Sequence, residues 1–330
     1  MMLAPFSELV LNHRAYHVAA AAESGHVAAI SQKGRGSLIS PDHLTTTPFR
    51  GPADPCDLSI AATGRFLAIA GRGGLTIIPT STFTLTERLD DSFESSRFCG
   101  DEVLWSALKP ESDTIVLCIR NFDTRQVVAQ TEIPDPFGDS YVTLLSHPDG
   151  QHVVVWVAAG QDGQCLFWAS RDGSAIAVHR LTDLEETTPA NFNSRGDQFL
   201  VVCGAELRRY GFPGGNLLGR MRWPSDAEDN QIGDLVSFVD EGRAVLSSNE
   251  GRLHLVDLEK MIITDEIILQ GHEPKPMPGL YPNLGEGRGV FSDFAYFLPL
   301  PTGGFLSVHR DLYSQPDDDH DHLLIWRIPS

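Results

Sequence analysis

The densest group of side chains that could do chemistry is the run DDDHDH at residues 317–322. Carboxylates and imidazoles together are ligands for Zn²⁺, Mn²⁺ or Ca²⁺, so one interpretation of the run is a metal site. A second is a solvated loop between two strands, because six consecutive residues cannot all face one ion and like charges repel. A third is an electrostatic docking surface for a basic partner, formed by Asp317, Asp318 and Asp319.

Motifs of the common catalytic sites are absent from the sequence. It contains no G-x-x-x-x-G-K-S/T, no G-x-S-x-G and no H-E-x-x-H, and Gly285, Gly287 and Gly289 have no predicted helix after them. The 12 histidines are scattered over turns and strands. One beside an acid, such as His254 near Asp257, is more typical of packing than of catalysis. We therefore predict no catalytic residue and no cofactor, and we assign no metal ligand.

The composition limits the class of protein. Of 330 residues, 42% are hydrophobic, which suits a folded chain with a large core. The net charge of −19 argues against non-specific binding to nucleic acid or anionic lipid, since that affinity comes from clustered Lys and Arg. No apolar run reaches the ~18 residues of a membrane span, and residues 1–12 lack signal-peptide features. The 5 cysteines show no C-x-x-C spacing, so we predict reduced thiols in a cytoplasmic protein.

The elements that would position functional side chains are clearest in residues 141–181. Turn signals at 147–150 (HPDG), 161–163 (QDG) and 171–173 (RDG) separate four runs of strand length. The second run, HVVVWVA at 152–158, is too short and too β-branched for a helix, and the last run alternates as an edge strand does. Four antiparallel strands in about 40 residues is the size of one β-propeller blade.

The same unit recurs along the chain. Turn markers between first and second strands fall roughly 40 to 60 residues apart, at Gly25, Gly64, Ser112, Gly150, Gly196, Gly242 and Gly303. The third unit is predicted at 102–133, with residues 90–98 as a link before it. The last unit lacks an outer strand, and the lone strand at 6–11 would supply it and remove the exposed edges. The sequence thus predicts an all-β fold, one seven-bladed β-propeller domain over 1–330, with insertions at 270–289 and 311–321.

The units resemble the blades of WD-repeat proteins over nearly the whole chain. That family ends the third strand of a blade in Trp-Asp and opens a repeat with Gly-His, the pair found here at residues 271 and 272. The matching third-strand positions read Trp168-Ala169, Tyr210-Gly211, Val256-Asp257 and Trp326-Arg327. Only one of the four keeps the acid and none keeps both residues. The chain therefore resembles a divergent WD-repeat-like propeller in which the side-chain bracing of typical blades is mostly missing.

Long connections are predicted to gather on one face of the propeller. Loops between second and third strands emerge beside the links between blades, and a rigid scaffold commonly carries its function on such loops. The insertion at 270–289 has four prolines that would stiffen it, with apolar anchors among them that would equally fold back over the blade. The predicted partner-binding residues are Met277, Leu280, Tyr281, Arg72, Asp123, Asp162, Glu206, Asn249, Asp317, Asp318 and Asp319.

The predicted function is a non-catalytic protein–protein interaction scaffold, or an adaptor subunit of a larger assembly. It would dock a protein or peptide, with acidic loops favouring a basic one, and would contact neither nucleic acid nor membrane. The alternative is a propeller hydrolase or lactonase with a metal in the central channel. That chemistry needs Glu, Asp, Asn or His from several blades, and inner-strand runs such as VVVWVA offer few of them. A regulatory subunit of an enzyme would show the same features.

Overall fold

The computed structural model describes residues 1–42, 45–84, 87–89, 92–99, 103–110, 113–121, 124, 126–160, 163–182, 187–224, 232–248, 252–271, 294–300, 304–309 and 320–329. These residues form β-strands, turns and loops, and no α-helix. Among them, accordingly, no helix is long and apolar enough to cross a membrane. The strands form seven antiparallel sheets of four, one of which gains a fifth strand at its edge. The fold is a seven-bladed β-propeller, as the sequence predicts.

The chain starts with two short strands, β1 (Met2–Leu3) and β2 (Ser7–Val10). The contacts within the chain divide it into two compact units. One is His13–Thr187, and the other is Met1–Asn12 together with Thr188–Ser330. We call the first the four-blade unit and the second the three-blade unit.

The four-blade unit has four strands in each blade, paired in sequence order. Blade 1 contains β3 (His17–Ala20), β4 (Val27–Ile30), β5 (Arg35–Ile39) and β6 (Thr46–Arg50). Blade 2 contains β7 (Pro55–Ile60), β8 (Phe66–Gly71), β9 (Gly74–Pro79) and β10 (Glu87–Leu89). Blade 3 contains β11 (Phe93–Cys99), β12 (Val103–Leu108), β13 (Thr114–Asn121) and β14 (Val127–Pro134). Blade 4 contains β15 (Tyr141–Ser146), β16 (His152–Ala158), β17 (Gln164–Asp172) and β18 (Ala175–Thr182).

The three-blade unit uses the N-terminal strands as well. Blade 5 contains β19 (Thr187–Phe192), β20 (Gln198–Cys203), β21 (Glu206–Gly211) and β22 (Leu217–Arg222). Blade 6 contains β23 (Ile232–Phe238), β24 (Arg243–Ser248), β25 (Leu253–Asp257) and β26 (Ile262–Leu269), with β1 at its edge. Blade 7 contains β27 (Phe294–Pro299), β28 (Phe305–His309), β29 (His322–Trp326) and β2.

Apolar side chains join adjacent blades within each unit. Ile30 and Ile69 belong to the core shared by blades 1 and 2, and Trp105 and Val155 to the core shared by blades 3 and 4. All four are fully buried. Burying one such side chain contributes about 1.5–3 kcal/mol to the stability of the fold. Because these apolar layers hold the strands together, they also position the strand ends, where the loops begin.

The outer strand of blade 7 comes from the N-terminus, which confirms the predicted pairing of the first and last strands. β2 pairs antiparallel with β29, with Ser7 opposite Ile325 and Val10 opposite His322. The preceding strand was not predicted: β1 pairs parallel with β26, and Leu3 is buried there. A strand of two residues has no periodicity for a sequence pattern to show.

The predicted boundaries of the third unit are wrong. Its first strand is β11, all but the last residue of which falls in the stretch predicted as a link, and position 112 comes after the second strand, β12, instead of the first. The reason is that β11, FESSRFC, buries the polar residues Ser95 and Ser96. A strand that is stabilised by hydrogen bonds to buried hydroxyl groups does not read as an apolar run. The insertions at 270–289 and 311–321 lie outside the described residues, apart from Gln270, Gly271, His320 and Asp321.

Candidate functional site

A cleft of about 650 Å³ opens at one end of the four blades of the four-blade unit. It lies where the first strand of each blade begins and where the second strand passes into the third. Four blades therefore contribute to one site, although each supplies only a few residues. Its lining is Tyr16, His17, Gln32, Asp54, Pro55, Cys56, Arg72, Glu94, Lys109, Asp139, Ser140, Tyr141, Val142 and Thr143.

The carboxylates of the cleft come from three different connections. Asp54 precedes β7 with a φ of 50°, a left-handed conformation that Asp tolerates better than most residues, and its side chain is exposed. Asp139 precedes β15 and is also exposed, whereas Glu94, on β11, is partly buried. Burial raises the pKa of Glu94, against the opposing charges of Lys109 and Arg72, and Asp139 raises it further.

Of the two basic side chains in the lining, Lys109 is paired with a carboxylate that lies outside the cleft. Its Nζ lies 2.9 Å from Oδ2 of the buried Asp135 and donates a hydrogen bond to the carbonyl oxygen of Ser140 at 3.0 Å. Burial acts to raise the pKa of Asp135, but Lys109 and the donors Phe137 N–H and Ser140 O–H hold it below its ordinary value. The charge of Lys109 is thus offset by a carboxylate outside the cleft, and the lining keeps three acids against Arg72.

Two tyrosines stand at the rim of the cleft. The exposed fraction is 72% for Tyr141 and 48% for Tyr16. The rings of Tyr16 and His17 pack edge to face, with their centroids 4.8 Å apart. Nε2 of His17 lies 3.0 Å from the carbonyl oxygen of Pro55. Aromatic faces beside carboxylates suit a cationic group, which is attracted by both.

The nucleophile candidates in the cleft are not activated. Burial raises the pKa of the Cys56 thiol, and the charge of Glu94 raises it further, so the thiol stays protonated near neutral pH. Burial lowers the pKa of His17, which favours the neutral imidazole, in spite of the opposing charge of Asp57. The cleft therefore presents a protonated thiol and a neutral ring to a ligand, with acids around them.

Beneath the cleft, an ion pair fixes the first strands of blades 2 and 3 to each other. Asp57 on β7 is buried and accepts hydrogen bonds from the side chains of Ser95 and Arg97 and from the backbone N–H of Ser96 at 3.1 Å. The hydroxyl oxygen of Ser95 in turn accepts from the N–H of Leu144 on β15 at 3.0 Å. Three blades are thus connected through β11, the strand that carries Glu94.

The structure describes two of the residues that the sequence predicts for partner binding, Arg72 and Glu206. Arg72 lines the cleft, in the turn between β8 and β9, and is exposed. Glu206 begins β21 in the three-blade unit and forms an ion pair with Arg208 at 2.6 Å. Position 123 lies in the chain between the third and fourth strands of blade 3. The predicted residues that lie outside the described part of the chain are Asp123, Asp162, Asn249, Met277, Leu280, Tyr281, Asp317, Asp318 and Asp319.

Sequence reasoning missed Glu94, Lys109 and Asp139. The boundaries predicted for the third unit misplaced Glu94 and Lys109, and Asp139 was not among the predicted partner-binding residues. The only signal in FESSRFC is a run of strand length with apolar residues at both ends, Phe93, Phe98 and Cys99, all of which are buried.

Comparison with solved structures supports the fold. The β-propeller domain of Cps50 (Swd1) from Myceliophteria thermophila superposes with a TM-score of 0.67 at 12% identity, covering 98% of this chain and 99% of that one. The hydrazine synthase of Kuenenia stuttgartiensis gives a TM-score of 0.56 at 9% identity, covering 74% and 77%. At these identities the likeness concerns the fold alone. No protein-family model and no curated protein sequence matches the chain.

Proposed function

We propose that this chain is a non-catalytic interaction protein that docks a basic peptide segment in the cleft of its four-blade unit. The observation that carries the proposal is the uneven charge of the lining: Asp54, Glu94 and Asp139 face the cleft with Arg72, while Lys109 is paired to Asp135 outside it. An adaptor role within a larger assembly, and a WD-repeat affiliation, accord with the propeller fold and belong to the same proposal.

The partly buried Glu94 gives the site its preference for a cation. An acid whose pKa is raised by burial gains more from a positive partner than a solvated acid does, because water screens the pair less. A lysine or arginine of the peptide would extend toward Glu94, and its charge would also lie near Asp139 and the tyrosine rings at the rim.

A peptide array tests this proposal directly. Labelled peptides rich in Lys or Arg, and matched peptides with Gln at those positions, would be screened against the wild type, and hits measured by fluorescence anisotropy. We expect Glu94→Gln to weaken binding of the best basic peptide about tenfold, the effect of removing a charged hydrogen-bond partner. Glu132→Gln, on the exposed face of β14, is the matched control and should bind like the wild type.

Two outcomes would contradict the docking site. One is equal binding of the basic peptides and their Gln counterparts by the wild type. The other is unchanged affinity in both Glu94→Gln and Asp139→Asn, which would place any basic-peptide binding elsewhere on the chain.

The hydrolase alternative has one observation in its favour. A carboxyl group with a raised pKa in a cleft is a property of general acids, and Glu94 has it. The two functions separate in one experiment, in which a panel of esters and lactones is incubated with the wild type and with Glu94→Gln. Turnover that is lost in the variant would favour the enzyme, whereas peptide binding without turnover favours the docking protein.

A further inference from the structure

A second group of polar side chains lies at the opposite end of β15 from the cleft, in the turn that leads to β16. It consists of His147, Asp149 and His152, whose ligand atoms all lie within 4.8 Å of one another. Nδ1 of His147 is 2.7 Å from Oδ1 of Asp149, and Nδ1 of His152 is 2.7 Å from Oδ2. Two imidazole nitrogens thus approach the two oxygens of one carboxylate.

Nδ1 of His147 lies close to two polar groups of Asp149. The backbone N–H of Asp149 donates to Nδ1 of His147 at 3.1 Å, so that nitrogen presents its lone pair. The same Nδ1 faces Oδ1 of Asp149, which also carries lone pairs. A contact of 2.7 Å between this nitrogen and Oδ1 is made either by a proton on Nδ1 or by a metal ion that both atoms bind.

The turn holds the three side chains in place before any ion binds. The N–H of His147 donates to the carbonyl oxygen of His152 at 3.0 Å, and the N–H of Gly150 donates to that of His147 at 3.1 Å. Gly150 has a φ of +71°, and a Cβ there would stand 3.1 Å from the carbonyl oxygen of Cys99 on β11. A side chain larger than hydrogen is thus disfavoured, and the turn is packed against blade 3.

The carboxylate is oriented by the turn. The backbone N–H of Gln151 donates to Oδ1 of Asp149 at 2.8 Å. His147 is buried, His152 is partly buried and Asp149 is exposed, so the carboxylate has room to move by the ~0.5 Å that a bridging ion would need.

We propose that His147, Asp149 and His152 form a binding site for a divalent transition-metal ion, with Zn²⁺ as the best match. Two imidazole nitrogens and one carboxylate oxygen are typical zinc ligands, and three protein ligands leave the fourth tetrahedral position to water or a partner group. The ion would bind the folded turn and not the unfolded chain, so it would stabilise blade 4. The proposal goes beyond the peptide-docking function and does not depend on it.

The test uses Zn²⁺ alone as the probe. Full-length protein is stripped with a chelator, and its zinc affinity is measured by competition with a chromophoric chelator. The variants are Asp149→Asn and His152→Gln, with His179→Gln on β18 of the same blade as the control, because that imidazole packs on Trp168 and lies outside the group. Melting temperatures with and without zinc show that each variant is folded.

We expect the wild type and His179→Gln to hold one zinc ion that both site variants have lost. Zinc affinity should be at least ~100-fold weaker in the variants, which is more than the loss of a hydrogen-bond partner of a metal ligand costs. Zinc should raise the melting temperature of the wild type and leave that of the variants unchanged. The proposal is overturned if the wild type takes up no zinc, which would mean that a proton on Nδ1 of His147 makes the contact with Asp149, or if both site variants bind zinc as tightly as the control.

Discussion

At the scale of single residues, the cleft shows how the neighbours of a charged side chain decide what it offers to a partner. Lys109 and Arg72 carry the same charge and line the same cleft. The first has a buried carboxylate 2.9 Å away, and the second is exposed at a turn. Lys109 therefore offsets less of the negative charge of the three lining acids than a simple count of acidic and basic residues indicates.

The pair between Lys109 and Asp135 gives a prediction with a pH dependence. Lys109→Met should lower the free energy of unfolding by about 3 kcal/mol at pH 7, because it leaves a buried carboxylate without its cation. The folded pKa of Asp135 is below its ordinary value of 3.8, so its contribution to stability is present above that value and is lost as the pH falls through the lower folded pKa.

The measurement is urea unfolding of wild type and Lys109→Met at pH 7 and near pH 3. The gap between the two proteins should narrow at the lower pH, where the unpaired Asp135 of the variant becomes protonated. A gap of the same size at both values would show that the ion pair is not its source.

At the scale of elements, β11 is the strand that the sequence pattern represented worst. Its two central residues are buried serines, and only one of the hydroxyls is used: Ser95 bonds Asp57 and Leu144, while Ser96 Oγ has no hydrogen-bond partner within the part of the chain that the structure describes. Hydrophobic periodicity assumes that a buried strand is apolar. The assumption does not hold where buried polar groups form hydrogen bonds with one another across blades. The predicted boundaries of blade 3 were wrong for that reason.

The two serines form a matched pair for mutagenesis. Ser95→Ala should cost about 1–3 kcal/mol of stability, because it leaves an amide and part of a carboxylate unsatisfied in the core. Ser96→Ala removes a hydroxyl that makes no such bond and should be neutral or slightly stabilising. Denaturant unfolding measures both, and equal costs for the two variants would mean that the hydrogen bonds of Ser95 do not stabilise the blade.

The N-terminal strands allow a graded prediction. Deleting residues 1–3 removes β1 and the buried Leu3, and should cost about 2 kcal/mol. Deleting residues 1–12 also removes β2 and exposes the edge of β29, so the cost should rise to several kcal/mol. Thermal melts of the two truncations and the full chain would measure these losses of stability. An unchanged melting temperature in the longer truncation would contradict a stabilising role for β2.

At the scale of the whole molecule, the repeat was the part that the sequence predicted best. Turn residues and strand lengths are local properties, and they recur seven times, so a misassigned boundary in one blade did not change the number of blades. The cleft could not be predicted in the same way. Its lining comes from connections far apart in sequence, and only their places in the fold bring Tyr16, Arg72 and Asp139 together.

The net charge of −19 leads to a prediction about kinetics. A basic peptide should associate faster at low salt than at high salt, because its approach is steered by a field that ions screen over about 10 Å at 0.1 M. Its dissociation rate should change less. Stopped-flow binding at several salt concentrations would measure both rates, and an association rate independent of salt would argue against a charged docking surface.

The pairing of β2 with β29 sets a condition on how the protein can be made. Glu8 on β2 and His322 on β29 lie side by side but are 314 positions apart in the chain. At about 5–20 residues per second, a ribosome needs roughly 15–60 seconds to reach the second after making the first. Through that interval β2 has no partner strand to join, and blade 7 can be completed only after the ribosome has made β29.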